Sequence, residues 1–236
     1  MSRMSIVALL FCVGFCSTDS LASQEPGQVV SPDEGMKRLL DGNKRYIAGS
    51  VGLLAAGKSD TGSRQVLAKG QSPYAIILSC SDSRVPPELI FDQGLGEIFV
   101  VRVAGNIADP VVLGSIEYAA EHLGSTLVVV LGHERCGAVT ATVESDGRHE
   151  GNIDSIIKQI HPAVVKARAK QYGSTPDKAT DKAMLVEAAI DENVKHVRES
   201  LVKQSSALKH LVESGKLKIV AAKYDLDDGV VSVFKD

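Results

Sequence analysis

Two stretches decide the reading: Tyr74-Ala75-Ile76-Ile77-Leu78-Ser79 running into Cys80-Ser81-Asp82-Ser83-Arg84, and Thr126-Leu127-Val128-Val129-Val130-Leu131 followed by His133-Glu134-Arg135-Cys136-Gly137. Each begins as a short apolar run, bounded by Gly or Pro, which is the pattern of a strand buried on both faces of a parallel sheet. Ligand sites in open α/β sheets lie just beyond the carboxyl ends of such strands. Two neighbouring strand ends therefore deliver Cys80, His133 and Cys136 to one place. Two thiolates and an imidazole suit Zn²⁺ in a tetrahedron. The three-residue step from His133 to Cys136 lets a tight loop or a helical first turn aim both at one ion. Three protein ligands leave a fourth position, the mark of a catalytic zinc. Asp82 is the one further candidate ligand nearby.

Working outward, 236 residues suit one α/β domain with a substantial core. A formal charge of −3 gives no footprint for nucleic acid. The division expected is a signal peptide over residues 1–22, a linker over 23–30 and a single catalytic domain over 31–236. Arg3 supplies the positive start of the signal, and Ser5 to Phe15 its apolar centre, too short for a membrane span. Small residues at Ser20 and Ala22 specify cleavage after Ala22. The mature chain is then exported, periplasmic or secreted, with no membrane segment. Cys16 opens a lipoprotein alternative, against which Phe15 is bulky where a small residue is needed. Cleavage removes Cys12 and Cys16, leaving Cys80 and Cys136, for which a disulfide is the competing reading.

Ser31-Pro32-Asp33-Glu34 opens a helix, with Ser31 as N-cap and Pro32 at the first helical position. Its apolar face carries Met36, Leu39, Leu40 and Ile47, and it precedes the sheet, so it is available to pack on a partner subunit. Residues 52–70 read mostly as loop with a helical turn. A strand is predicted over Glu97–Val103, broken by Ala104-Gly105-Asn106, then an amphipathic helix over Pro110–Leu123. Cys136 begins a helix through Val143, which places its sulfur at a positive helix end. A helix follows Gly151, and a second long helical stretch runs from Pro176 to Leu211. Leu217–Tyr224 and Val230–Phe234 form a terminal hairpin around Asp227-Asp228-Gly229. The fold class is α/β, a mostly parallel sheet flanked by helices.

The pair Cys80-Ser81-Asp82-Ser83-Arg84 and His133-x-x-Cys136-Gly137 resembles the β-class carbonic anhydrases, over roughly Asp33 to Phe234. The resemblance implies zinc-dependent, reversible hydration of carbon dioxide to bicarbonate and a proton by zinc-bound hydroxide. It implies N-terminal helices exchanged in a homodimer or higher homo-oligomer. By that resemblance Cys80, His133 and Cys136 bind zinc. Asp82 and Arg84 form a dyad in which the carboxylate accepts a hydrogen bond from the zinc-bound oxygen and the guanidinium holds the carboxylate. In a closed state of the family Asp82 itself becomes the fourth ligand. Gln71, nine residues before Cys80, matches a glutamine that meets substrate across the dimer interface. Phe99 and Tyr118 match pocket residues of the same subgroup, and Gly137 a glycine whose N–H faces substrate. Ala104 departs from a common valine. A bicarbonate-regulated subgroup carries Trp where this chain has Ile77, which favours the open subgroup, although Arg102 and Tyr118 of that pocket are present.

Each residue also has a blander reading. Asp82 with Arg84 reads alone as a surface ion pair, and Tyr118 as a core residue of an amphipathic helix. The remaining histidines lack metal spacing to one another. Two other functions compete: a hydrolase of carbon disulfide or carbonyl sulfide on the same fold, and a non-catalytic zinc-binding or redox module.

Overall fold

In the computed structural model, residues 29–50, 52, 60–145, 150–172 and 182–235 are described. The expected signal peptide and most of the linker lie outside them. The two apolar runs form β1 (Ala75–Ser79) and β3 (Leu127–His133), every residue of both buried. With β2 (Ile98–Arg102), β4 (Lys218–Tyr224) and β5 (Val231–Val233) they make one sheet in the order β2-β1-β3-β4-β5. All pairs are parallel except β4 with β5, the expected hairpin.

The register sets the site. Ser79 lies level with Arg102 on one side and Leu131 on the other. β3 then continues two residues further, pairing Gly132 and His133 with Lys223 and Tyr224. The strand thus outruns the predicted end at Leu131 and carries His133 on its last rung. Cys80 leaves β1 one residue past the ladder.

The helices cover both faces. Helix α1 (Pro32–Ile47) starts where Ser31 Oγ accepts the Glu34 N–H at 3.3 Å. It is seated on its own chain by buried Asn43, whose Nδ2 donates to the Ile90 and Gly229 carbonyls and whose Oδ1 accepts from Val231 N–H. Residues 52–70, expected mostly as loop, carry α2 (Thr61–Leu67), because Asp60 caps it by accepting the Ser63 N–H at 2.7 Å. Helix α3 (Pro87–Ile90) and α4 (Pro110–His122) follow β1 and β2. Then come α5 (Gly137–Glu144), α6 (Ile153–Tyr172), α7 (Lys182–Gln204) and α8 (Ser206–Glu213). The predicted continuous helix to Leu211 is broken at Ser205, which leaves helical geometry and caps α8 by accepting the Leu208 N–H. Its predicted start at Pro176 lies outside the described residues.

Alternation along the strands feeds two cores. Ile77, Val129 and Leu131 join Leu39, Ile160 and Ile190 on one side; Ile76, Leu78, Val128 and Val130 join Ile116 and Leu201 on the other. Helix α7 lies so close to β3 that a Cβ on Gly132 would sit 2.3 Å from Val194 Cγ2. Among the described residues no helix is long and apolar enough to cross a membrane.

Candidate metal centre

The two strand ends bring Cys80, His133 and Cys136 together, with Sγ, Sγ and a ring nitrogen all within 4.8 Å of one another. Both cysteines are free and buried, so the disulfide reading does not describe this arrangement. The His133 ring is 1% exposed, and its Nδ1 lies 2.8 Å from the Glu134 carbonyl, which fixes that nitrogen as the donor. Nε2 is left as a bare lone pair, buried with no hydrogen-bond partner among the described residues. An orphaned imidazole nitrogen facing two thiols is what a soft divalent ion satisfies, and zinc fits this donor set.

Local structure supplies the rest of the charge balance. Cys136 is the residue before α5 and makes no capping bond through its side chain, so its sulfur stays at the positive helix end. Cys80 Sγ accepts a hydrogen bond from the Gly105 N–H at 3.3 Å. The Cys80 thiol is pulled well below the ordinary range, first by the hydrogen bond with Cys136, then by His133 and the Gly105 N–H, against burial. Cys136 is pushed up by the same bond to Cys80 and by burial. One proton shared between two sulfurs accounts for both directions, and a cation between them removes the need for it.

The turn from His133 to Cys136 is braced from outside. Arg135 has φ +49, a conformation L residues rarely adopt. Its N–H donates to Glu187 Oε1 at 2.8 Å, and its guanidinium pairs twofold with Asp227 at 2.9 Å. Lys223 in turn bridges Glu187 at 2.7 Å and Asp191 at 3.0 Å.

Beside the cluster, Arg84 Nε and Nη2 donate to the two oxygens of Asp82 at 2.9 and 2.8 Å, and the Arg84 backbone N–H donates to Oδ1 at 3.0 Å. Asp82 Oδ2 stands 3.9 Å from His133 Nε2. Pairing with Arg84 holds the Asp82 carboxyl well below the usual range, with partial burial opposing it. This is the arrangement with Asp82 turned to the guanidinium. Gly137, the first residue of α5, is exposed, and a Cβ there would meet nothing within 4 Å, so packing does not require glycine.

One chain does not bring the other expected residues here. Phe99 lies level with Ile76 on edge strand β2, three rungs (roughly 10 Å) short of the Cys80 end. Tyr118 on α4 leans on it, ring centroids 6.4 Å apart, and is 49% exposed, not core. Gln71 precedes β1 at the opposite end of the sheet and is exposed. Sequence reasoning passed over three contributors: Gly105, Glu187 and the structural role of Arg102. Arg102 donates to the Cys80 and Asp82 carbonyls at 3.0 and 2.6 Å, pinning the loop that joins them. Its signal was a cation at the carboxyl end of an apolar strand; Glu187 gave none.

A family model described as carbonic anhydrase matches residues 75–231. Carbonic anhydrase 2 of Mycobacterium tuberculosis is 39% identical over 206 residues, spanning 84% of this chain and 91% of that protein. The β-carbonic anhydrase CafA of Aspergillus fumigatus superposes with a TM-score of 0.65 at 26% identity, covering 85% of this chain and 90% of that one. Tetrameric β-carbonic anhydrases of Sordaria macrospora share the fold with a TM-score of 0.64 at 24% identity, covering 85% of this chain and 97% of that one.

Proposed function

The chain belongs to the β-class carbonic anhydrases, lyases that interconvert carbon dioxide and bicarbonate, and we propose that it does so at a zinc ion held by Cys80, His133 and Cys136. The observation that carries this is the bare, buried His133 Nε2 facing two free sulfurs. When bound, zinc supplies the Lewis acidity that lets water react as hydroxide near neutral pH.

The chain's own residues do the remaining work. Asp82, kept ionised by Arg84, accepts the proton of a hydrogen bond from the attacking water and so orients its lone pair. The Gly137 N–H, at the open amino end of α5, faces the oxygen that gains charge as bicarbonate forms. Buried Val85 supplies a weakly polar wall next to the dyad. Asp82 as a fourth ligand in a closed state remains part of this proposal, and the Arg84-bound arrangement is its open counterpart.

Gln71, Phe99 and Tyr118 complete the pocket from a second copy of the chain. Edge strand β2 and exposed Val111 and Tyr118 on α4 form an apolar margin suited to a homodimer, and the tetrameric Sordaria relatives support assembly. The domain division, with an exported chain beginning at Ser23, also belongs to this reading and rests on the sequence alone.

Stopped-flow carbon dioxide hydration with metal analysis tests the function. One zinc per chain with rapid hydration is expected. Stoichiometric zinc with sulfide release from carbon disulfide and no hydration at any pH would replace it with the hydrolase reading. The mass of protein recovered from the cell envelope tests export; an intact Met1 to Ala22 segment refutes cleavage.

A further inference from the structure

Helix α7 touches the site through Asn193, a residue with no part in the reaction as described above. Its side chain is 1% exposed, and its Nδ2 donates to the Gly105 carbonyl at 2.9 Å across 88 residues of sequence. Gly105 is the residue whose N–H donates to Cys80 Sγ at 3.3 Å. We propose that Asn193 is a positioning residue for the Cys80 sulfur, acting through the backbone of Gly105 on the two sides of its Cα.

The geometry needs such a holder. Gly105 follows β2 with φ +71, and Asn106 beside it has φ +45, so two successive residues sit in left-handed conformations. Left alone, a glycine is the easiest residue in a chain to rotate away from a given hydrogen bond. Here it is held from three sides. Ile160 of α6 closes the Cα side so tightly that a Cβ would come within 2.5 Å of its Cδ1. Asn193 takes the carbonyl, and Cys80 takes the amide. Asn193 itself is fixed because its neighbour Val194 is pressed against Gly132, one residue before His133. The same turn of α7 therefore seats the imidazole strand and holds Gly105, whose N–H donates to the sulfur. An N–H on a metal thiolate draws off part of the charge the sulfur gives the metal and fixes the direction of its lone pairs; such outer partners commonly change metal affinity by about 10–100-fold.

This rests on the zinc reading, so the test separates the two. Asn193→Leu keeps the branched shape and removes the donor; Asn193→Ala removes it with less bulk if the first variant folds poorly. Val197→Ala, one turn further along α7, is the control, loosening the helix in the opposite core without touching Gly105 or Gly132. Each protein is loaded with Co²⁺, the thiolate-to-cobalt absorption is recorded, and zinc affinity is read by chelator competition. The expected result is a wild-type band that moves to longer wavelength in both Asn193 variants, with zinc held about tenfold or more weaker. In Val197→Ala the band stays in place. A wild-type band that is unmoved in the Asn193 variants overturns the role of Asn193 and leaves the metal site standing. Equal shifts in Val197→Ala reduce Asn193 to general packing and overturn it as well. No thiolate–cobalt band in the wild type removes both readings.

Discussion

Replacing Asp82 by asparagine isolates what the carboxylate does. The aspartate receives three hydrogen bonds from Arg84, through N, Nε and Nη2. An asparagine has one oxygen to offer. With that oxygen in the Oδ1 position it keeps the N and Nε donors, and its NH₂ then takes the Oδ2 position, 2.8 Å from Arg84 Nη2. Two donors face each other there, and the guanidinium swings away. The same NH₂ also occupies the point 3.9 Å from His133 Nε2, so an acceptor aimed into the metal pocket becomes a donor. Loss of a positioned proton acceptor costs about 10²–10⁴-fold in rate. The ion pair itself is half exposed at Arg84, so its stability contribution is about 1 kcal/mol or less. The expectation is therefore a fall of kcat/KM by about 10²-fold or more in stopped-flow hydration, with one zinc retained and Tm lowered by no more than about 4 °C. A pH arm follows from the depressed Asp82 carboxyl. Its stabilising share is complete above the unfolded value of about 3.9 and is lost as pH falls through that value toward the folded one. The difference in unfolding free energy between wild type and variant is thus flat from pH 9 to about 5 and shrinks below about pH 4. A zinc-replete variant within threefold of wild type would falsify the assignment of Asp82 to water orientation.

Three further outcomes are expected. Gly137→Ala meets nothing within 4 Å and needs no left-handed backbone, so Tm stays within about 2 °C while kcat/KM falls by about tenfold or more; unchanged hydration kinetics would mean that substrate does not pass over that amide. Asn43→Ala strips partners from two carbonyls and one N–H buried under α1, a loss of about 3 kcal/mol, seen as a Tm lower by about 6–12 °C in calorimetry; a drop under 2 °C would show that water replaces the side chain. Co-refolding Gln71→Ala with Cys80→Ser in equal amounts, each weakly active alone, restores about a quarter of the site activity if Gln71 serves the opposite copy, since about half the pairs are mixed and each has one complete site; recovery no better than the sum of the two separate proteins would place Gln71 in its own chain's site.

The sequence by itself determined the strands and the donor residues that end them. Buried parallel strands are written as unbroken apolar runs, and the residues that end them are the ones presented at the site, so Cys80, His133 and Cys136 were legible from local pattern. The Ser31-Pro32 start of α1 was legible for the same reason, since a cap bonds within its own first turn. What spans distant segments was not. The continuation of β3 to His133 depends on Val194 finding a glycine beneath it, and the break at Ser205 on a cap that competes with helix continuation. Only the tertiary structure decided that Gly105, Arg102 and Glu187 stand around the sulfurs and the dyad, and that Gln71, Phe99 and Tyr118 stand away from them in the same chain. Hydrogen bonds such as Asn193 to Gly105 join residues whose local sequence carries no trace of each other, because the contact exists only once the sheet has set the distance between them.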